Sequence, residues 1–219
     1  MVGDAAHHLG RVLRAEAGQL YELSDGKSAW LARVESVGRD RIDFSLIEPI
    51  PGSEGRPTTT LLLAIVKFDS FEWALEKATE LGVRTIVPLA AARSEKMLLC
   101  AAGKRAERWK RILLESSQQS RRVSLPQLKS AEKPANAFQQ SVGFKMILSE
   151  RAEAQPFKRV LPGTASEVVV AIGPEGGWTE EEFASAEGAG FRQASLGHFI
   201  LRTETAVVSA LSALNYALG

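Results

Sequence analysis

The sequence predicts an α/β protein of two domains, a small β domain followed by a larger domain in which strands alternate with helices. Three observations predict this fold. Short segments in the first part of the chain alternate polar and apolar residues, as half-buried strands do. The stretch Pro49–Thr60 is rich in Pro, Gly, Ser and Thr, which is the composition of a linker. Beyond it, continuous apolar runs alternate with segments of helical spacing, which indicates a parallel sheet. The predicted domains are residues 1–56 and 57–219.

Three short strands are predicted in the first domain. Gln19–Leu23 alternates in polarity, and Asp25-Gly26 after it is a hairpin turn signal. Ala29–Val34 and Arg41–Leu46 have a similar strand-like composition. Together these segments indicate a small β-barrel or sandwich.

Five strands are predicted in the second domain. They are Leu61–Val66, Thr85–Leu89, Phe144–Leu148, Val168–Ile172 and Phe191–Leu196. Pro88 in the second of these indicates an edge strand or an early end of the strand, because proline has no N–H to donate to a neighbouring strand.

Helices are predicted in the intervals between these strands. Asp69 is the predicted N-cap of a first helix, and Gly82 ends it. A longer helix is predicted over Gly103–Ser120. A capping box at Thr179–Glu182 begins a third helix, and a final one covers Glu204–Leu218.

Composition excludes several classes of protein. The 27 Lys and Arg against 26 Asp and Glu give a net charge of +1, which excludes a globally basic coat for nucleic acid. One cysteine excludes a disulfide framework within the chain, and with only three histidines we expect no metal site. Without an apolar run of about 18 residues we expect no membrane span. The start of the chain has no apolar signal region, so we expect a cytoplasmic protein.

Two glycine-containing turns follow predicted strands and precede predicted helices. The first is Gly173–Gly177 and the second begins at Leu196-Gly197. Ligands of open α/β sheets bind beyond the carboxyl ends of the strands, and glycine lets a ligand approach the backbone closely. Neither the dinucleotide fingerprint nor a P-loop is present. Each segment is equally consistent with an ordinary tight turn, but two such turns in one sheet predict a shared pocket.

The residues at the start of the last predicted helix form a second candidate functional site. Thr203 is its predicted N-cap. Arg202 directly precedes that residue. It either faces the predicted pocket or forms an ion pair with Glu204 or Glu175.

A basic stripe lies on the predicted long helix and just after it. Residues 104–122 hold seven basic and two acidic side chains. Polynucleotide phosphate is one partner that selects such a stripe, and a solvated helix face is the simpler alternative.

Segments spread over nearly the whole chain resemble one family. They are, in chain order, His7-His8-Leu9, Val12-Leu13-Arg14, Lys77–Val83, Pro88, Arg93-Ser94, Gln119-Ser120, Arg122, Gly173–Gly177, Leu196-Gly197 and Ile200–Ala206. In combination they are similar to the RsmE family of bacterial 16S ribosomal RNA uridine-N3 methyltransferases, within the SPOUT superfamily. The resemblance implies a trefoil-knot α/β methyltransferase domain behind a small PUA-like β-barrel that handles RNA. It also implies a homodimer.

The resemblance further implies S-adenosylmethionine as cofactor and the 16S RNA of the small ribosomal subunit as substrate. The implied cofactor residues are Gly173, Gly176, Leu196, Gly197, Ile200, Leu201 and Thr205. The implied catalytic residues are Arg202 and Glu175. With the basic stripe included, the expected RNA contacts are Arg14, Arg93, Arg108, Arg111 and Arg122.

Two other functions stay open. One is a SPOUT methyltransferase of a ribose 2′-hydroxyl or of another RNA. The other is an RNA-binding protein that has lost catalysis. The second depends on two departures from the family pattern: the family's opening strand is short or missing before His7, and His198-Phe199 stands where the family often has a basic residue.

Overall fold

The computed structural model describes residues 1–26, 28–51 and 57–219. It divides into two compact units, Met1–Glu54 and Gly55–Gly219. The domain boundary that the sequence predicts falls at the end of residues 52–56, outside the described part of the chain, and it stays a prediction.

The linker prediction is wrong at both of its ends. Pro49 and Ile50 are the last residues of one strand, and Thr58–Thr60 are the first residues of another. Each end takes part in a ladder, since Ile50 is paired with Ala29 and Thr58 with Glu167. Pairing with a neighbouring strand therefore overrides the loop-like composition of these residues.

The first unit contains a three-stranded antiparallel sheet and a short helical segment. Its elements are α1 (Asp4–His7), a π-helical turn (His8–Val12), β1 (Leu20–Ser24), β2 (Ala29–Val37) and β3 (Ile42–Ile50). The strand order is β1-β2-β3, which confirms the three predicted strands and extends the last two. A small core joins the helical segment to the sheet; its buried members are Ala6, Leu9, Ala15, Val34 and Ile42.

The π-helical turn ends at a residue with unusual backbone geometry. Arg14 has a φ of 52°, in the left-handed region that glycine ordinarily occupies. The next N–H, that of Ala15, donates to the carbonyl of Leu9 at 3.0 Å, which closes the helical end. An arginine is thus held where glycine would be less strained.

The second unit is a seven-stranded parallel sheet with helices on both faces. Its strands are β4 (Thr58–Ala64), β5 (Thr85–Leu89), β6 (Gln127–Leu128), β7 (Phe144–Leu148), β8 (Gln155–Pro156), β9 (Glu167–Ile172) and β10 (Arg192–Ser195). Their order is β6-β5-β4-β9-β7-β10-β8. All five predicted strands are present. The edge strand that Pro88 predicts is not found, since the two-residue β6 flanks β5 on its outer side, and the strand continues past Pro88 to Leu89.

Three of the four predicted helices begin at different residues from those the sequence predicts. The helices of this unit are α2 (Phe68–Glu80), α3 (Lys96–Gln119), α4 (Pro134–Gln140), α5 (Phe157–Val160), α6 (Glu180–Gly188) and α7 (Thr203–Leu218). Asp69 lies within the first turn of α2, whose N-cap is Lys67. Thr203 is likewise the first residue of α7, and Arg202 is the N-cap. The capping box of Thr179 and Glu182 is confirmed.

Alternate residues of the central strands face two separate hydrophobic cores. Leu61 and Leu63 of β4 pack in the core that α2, α3 and α7 cover, while Leu62 packs in the core that α4 and α6 cover. Both faces of β4 are therefore buried, which explains its continuous apolar run.

Candidate active site

A pocket of about 290 Å³ lies beyond the carboxyl ends of β7, β9 and β10. Three segments form its walls: Ser149–Arg151 after β7, the residues from Gly173 to Trp178 except Gly176 after β9, and Leu196–Leu201 after β10. The structure thus brings both glycine turns to one pocket, as their pairing in the sequence indicates. This edge of a parallel sheet is where ligands of such folds bind.

Trp178 forms one wall of this pocket. Its Nε1 donates to the carbonyl of Leu148 at 3.1 Å, which ties the turn after β9 to the end of β7. A Cβ atom on Gly173 would lie 3.0 Å from the indole. The space that Gly173 leaves is therefore used by Trp178.

Gly176 faces Arg93. Its carbonyl accepts a hydrogen bond of 2.7 Å from Arg93 Nη1, and a Cβ atom there would lie 3.3 Å from Arg93 Cβ. Gly176 itself does not line the pocket, whereas Arg93 does. The geometry thus gives Gly176 a role in positioning Arg93, and its predicted contact with a cofactor is not tested.

The loop after β10 offers free backbone groups beside apolar side chains. Among the described residues, no backbone N–H or C=O group of Leu196, Ile200 or Leu201 has a hydrogen-bond partner. The side chains of Phe199 and Ile200 are 87% and 79% exposed. Unpaired donors and acceptors beside apolar groups suit a flat heteroaromatic ring that needs both.

Charged side chains stand around the mouth of the pocket. Arg151 forms an ion pair with Glu180, and its guanidinium lies 3.8 Å from the centre of the Phe183 ring. The carboxylate of Glu150 lies over Gly177, where an added Cβ would meet its Oε1 at 3.1 Å. The wall also holds the exposed Glu175.

Arg202 lies beside this pocket without lining it. Its neighbours Leu201 and Thr203 are both wall residues. Its carbonyl accepts the hydrogen bond that opens α7, from Ala206 N at 2.9 Å. Among the residues described here, its side chain has no ion pair, so the alternative of a bridge to Glu204 or Glu175 is not realised. Thr205 is exposed on α7 and does not line the pocket.

The five predicted RNA-binding arginines have different surroundings. Arg108 donates to the buried Glu72 at 2.7 Å, and Arg111 donates to Glu115 at 2.8 Å on the exposed face of α3. Arg93 is at the pocket, and Arg14 belongs to the first unit.

Arg122 is the most constrained of the five. Its Nη1 donates to the carbonyls of Thr79 and Val83, at 2.7 and 2.8 Å. Burial and then the charge of Arg84 lower the pKa of Arg122 from its usual value. These bonds tie the end of α3 to the end of α2. A contact of Arg122 with RNA is not tested.

Several pocket residues were not predicted from the sequence. Glu150 and Arg151 follow β7, and Phe183 lies on the first turns of α6. The rule that found the turns after β9 and β10, that ligands bind at the carboxyl ends of strands, applies equally to β7. No glycine-rich turn follows β7, so no local sequence signal marks that strand end.

None of the helices in the described part of the chain has both the length and the hydropathy that a membrane span requires. In the same part of the chain, no group of three or more His, Cys, Asp or Glu side chains could hold a metal ion.

The sequence matches two families. Residues 54–215 match the family described as RNA methyltransferase domain, and residues 3–47 match the one described as RNA methyltransferase PUA domain. A Bacillus subtilis protein named ribosomal RNA small subunit methyltransferase E is 30% identical over 227 residues, which cover 99% of this chain and 89% of that protein. The protein of the same name from Mesomycoplasma hyopneumoniae is 36% identical over 170 residues, covering 76% of this chain and 74% of that one.

Solved structures agree with these matches. The ribosomal RNA small subunit methyltransferase E of Neisseria gonorrhoeae, bound to S-adenosyl methionine, has a TM-score of 0.88 at 30% identity and covers 99% of this chain and 90% of its own. A Legionella pneumophila protein in complex with the bound cofactor SAM has a TM-score of 0.84 at 31% identity, with 98% and 89% covered.

Proposed function

The chain belongs to the RsmE family of ribosomal RNA methyltransferases, and from that membership we propose that it transfers a methyl group from S-adenosylmethionine to N3 of a uridine in 16S ribosomal RNA. The observation that carries the proposal is the pocket at the carboxyl ends of β7, β9 and β10, into which both glycine turns lead. The alternative of a protein without catalysis is not favoured by this geometry, since the pocket is open and its loop offers unpaired backbone groups.

The pocket residues fit this cofactor. Leu196, Ile200 and Leu201 combine free backbone groups with apolar side chains, which suits an adenine ring. Gly197 belongs to the same wall and has a φ of 145°, a conformation that side chains rarely adopt. Gly173 is also a wall residue. In this proposal Gly176 acts through Arg93, and Thr205 stays the least supported of the predicted cofactor residues.

When bound, S-adenosylmethionine supplies a methyl group on a sulfonium sulfur, which a nucleophile in line with the carbon–sulfur bond can take up. The chain's own residues must then make N3 of the uridine a nucleophile. N3 carries a proton, and its loss spreads negative charge onto O2 and O4. The side chain of Arg202 presents a planar fork of donors that can stabilise this charge. Glu175 on the pocket wall can accept a hydrogen bond from the N3–H group.

RNA binding is proposed for exposed arginines of both units. Arg93 is at the pocket, Arg111 is on the outer face of α3, and Arg14 is in the unit that matches a PUA domain. Such contacts with phosphate give affinity with little sequence specificity. Arg108 and Arg122 are held by Glu72 and by backbone carbonyls, so for them a contact with RNA has less structural support.

We propose that the protein is a homodimer through the outer face of α7. Three apolar residues of this helix, Val207, Leu211 and Leu214, are buried in the chain's own core. The outer face instead carries Tyr216, 93% exposed, beside a groove of about 840 Å³ that Ser209 and Ala213 help to line. Small residues around an exposed aromatic side chain support close packing of a second copy.

We also keep the trefoil knot as a proposal. β9 pairs between β4 and β7, although both precede it in the chain. A late strand inserted between two earlier ones is compatible with a threaded chain. A cytoplasmic location likewise stays a proposal, because the ribosomal RNA substrate is found there.

The test of the function is methylation of ribosomal RNA from a strain that lacks this gene. The purified protein, labelled S-adenosylmethionine and either small subunits or free 16S RNA would be incubated, and the nucleosides analysed by mass spectrometry. N3-methyluridine as the labelled product supports the proposal. A 2′-O-methylated nucleoside would establish the alternative activity, and no label with confirmed cofactor binding would overturn catalysis.

A further inference from the structure

Glu150 is a charged residue of the pocket wall to which the proposed function assigns no role. It lies two residues beyond the end of β7, and its side chain is exposed at the pocket wall. Within the described residues, Glu150 has neither an ion pair nor a side-chain hydrogen bond. The neighbouring charges are already engaged, since Arg151 pairs with Glu180 and Arg93 donates to the Gly176 carbonyl. Its carboxylate is therefore free to accept hydrogen bonds from a ligand.

The order of the strands places Glu150 between the two loops that carry the predicted cofactor residues. β7 lies between β9 and β10 in the sheet. The turn Gly173–Gly177 follows β9 on one side, and the loop Leu196–Leu201 follows β10 on the other. The middle part of a ligand that reaches from one loop to the other therefore lies at the end of β7, beside Glu150.

Gly177 leaves the space that the carboxylate of Glu150 occupies. This glycine has a φ of 72°, and a Cβ atom there would lie 3.1 Å from Glu150 Oε1 and 3.7 Å from Arg93 Nη1. A side chain at residue 177 would therefore displace the carboxylate from the pocket wall.

We propose that Glu150 binds the ribose of S-adenosylmethionine, its two carboxylate oxygens accepting hydrogen bonds from the 2′- and 3′-hydroxyls. This inference rests on the proposed function, which supplies the ligand. The adenine ring lies against Leu196–Leu201 in that proposal, and the sulfonium must face the uridine contacts near Glu175 and Arg202. The ribose joins these two parts of the cofactor, so it is the part that passes Glu150. A carboxylate at a strand end that accepts from a ribose diol is a recurrent solution in α/β folds.

Calorimetry with unreactive ligands tests the assignment. The probes are S-adenosylhomocysteine, its 2′-deoxy and 3′-deoxy forms, and 5′-methylthioadenosine, which lacks the amino acid. We expect the wild-type protein to bind each deoxy form about 10- to 100-fold more weakly than the parent, the range for a hydrogen bond to a charged group. Glu150→Ala should bind S-adenosylhomocysteine about as weakly as the wild type binds the deoxy forms. The variant should also bind S-adenosylhomocysteine and its two deoxy forms with equal affinity.

Glu153→Ala is the matched control, since Glu153 is exposed three residues further along the chain and does not line this pocket. It should leave both affinity and discrimination unchanged. Melting temperatures of both variants should match the wild type, because Glu150 has no partner to lose among the described residues.

Three results would overturn the assignment. Discrimination retained in folded Glu150→Ala would mean that other groups hold the hydroxyls. Glu150→Ala could weaken the binding of S-adenosylhomocysteine but not of 5′-methylthioadenosine. That result would assign Glu150 to the amino group of the methionine part. A wild-type protein that binds no S-adenosylhomocysteine would overturn the proposed function itself, and that outcome is distinct from the other two.

Discussion

Thr203 Oγ1 donates a hydrogen bond of 3.1 Å to the carbonyl oxygen of Gly173, which joins the first residue of α7 to the turn after β9. The side chain of Thr203 is buried, so this bond is shielded from water. It fixes the distance between two segments that wall the same pocket.

We therefore expect Thr203→Val to weaken cofactor binding and to lower the free energy of unfolding by about 1–3 kcal/mol, because the isosteric side chain leaves a carbonyl without its donor. Thr203→Ser, which keeps the hydroxyl, should bind almost normally. The measurements are calorimetry with S-adenosylhomocysteine and urea denaturation. Ser212→Ala, on the exposed side of α7 and away from this pocket, is the control. Equal behaviour of the Ser and Val variants would show that the bond does not matter.

Replacement of Gly173 and of Gly176 should distinguish packing against Trp178 from positioning of Arg93. Gly173→Ala brings a Cβ to 3.0 Å from the Trp178 indole, and we expect a loss of about 1–3 kcal/mol in stability from this overpacking. Gly176→Ala brings a Cβ to 3.3 Å from Arg93 Cβ, a less tight contact, and should cost less stability while still displacing Arg93. Urea denaturation of both variants gives the comparison. A larger loss for Gly176→Ala would contradict it.

The strained backbone of Arg14 allows stability and binding to be separated. Arg14→Gly should raise stability by about 1 kcal/mol, because glycine adopts a φ of 52° without steric cost. Arg14→Ala should not gain this stability. If Arg14 contacts phosphate, both variants should weaken RNA binding equally and reduce the salt slope by about 0.7–0.9 in log–log terms. The measurements are thermal denaturation and RNA titrations at several salt concentrations. Unchanged RNA binding in both variants would remove Arg14 from the interface.

Arg202 should act mainly on the rate of methyl transfer. Arg202→Ala should lower the single-turnover rate at least about a hundredfold, as loss of one donor to a developing negative charge does. Cofactor affinity and melting temperature should change little, because the side chain has no ion pair within the described chain. Arg202→Lys should rescue poorly, since a point charge does not replace the planar fork. Loss of cofactor binding together with stability would instead indicate a structural role.

Arg111 is a cleaner probe of the basic stripe than Arg108. Arg111 pairs with the exposed Glu115, whereas Arg108 pairs with Glu72, whose side chain is only 9% exposed. Arg111→Ala should therefore weaken RNA binding at low salt without loss of stability. Arg108→Ala should also destabilise the fold, because it leaves a buried carboxylate with only the longer contact from Arg105, at 3.4 Å. An unaltered salt slope in folded Arg111→Ala favours a solvated helix face.

Strong periodic signals in the sequence predicted the framework of the second unit. Phe144–Leu148 and the capping box at Thr179 were predicted at the residues where they occur, since each depends on neighbours in sequence. The two-residue strands β6 and β8 could not be predicted, because so short a segment has no periodicity. The predicted N-cap residues were also wrong by one or two positions. Thr203, for example, is the first residue of its helix, and its hydroxyl donates to the carbonyl of Gly173 after β9 instead of capping the helix.

The site was predicted where glycine marks the chain and missed where it does not. The turns at Gly173 and Gly197 both reach the pocket. The positions of Glu150 and Arg93 depend on the strand order, which places segments far apart in sequence side by side. Local sequence does not contain that order.

The position of β9 has a consequence for how the protein is made. It is the central strand that joins β4 to β7, yet it begins only at Glu167. Until it is synthesised, β4 has no partner on one side, and β7 has none on either side because its other partner, β10, comes later still. Unpaired hydrophobic strand edges are therefore exposed to the cell. A chain that terminates before this strand would therefore be a substrate for chaperones and proteases, and would not be a smaller working enzyme. Production of the protein is in this sense all-or-none: the last two strands, β9 and β10, complete the sheet, and the segments that follow them wall the pocket.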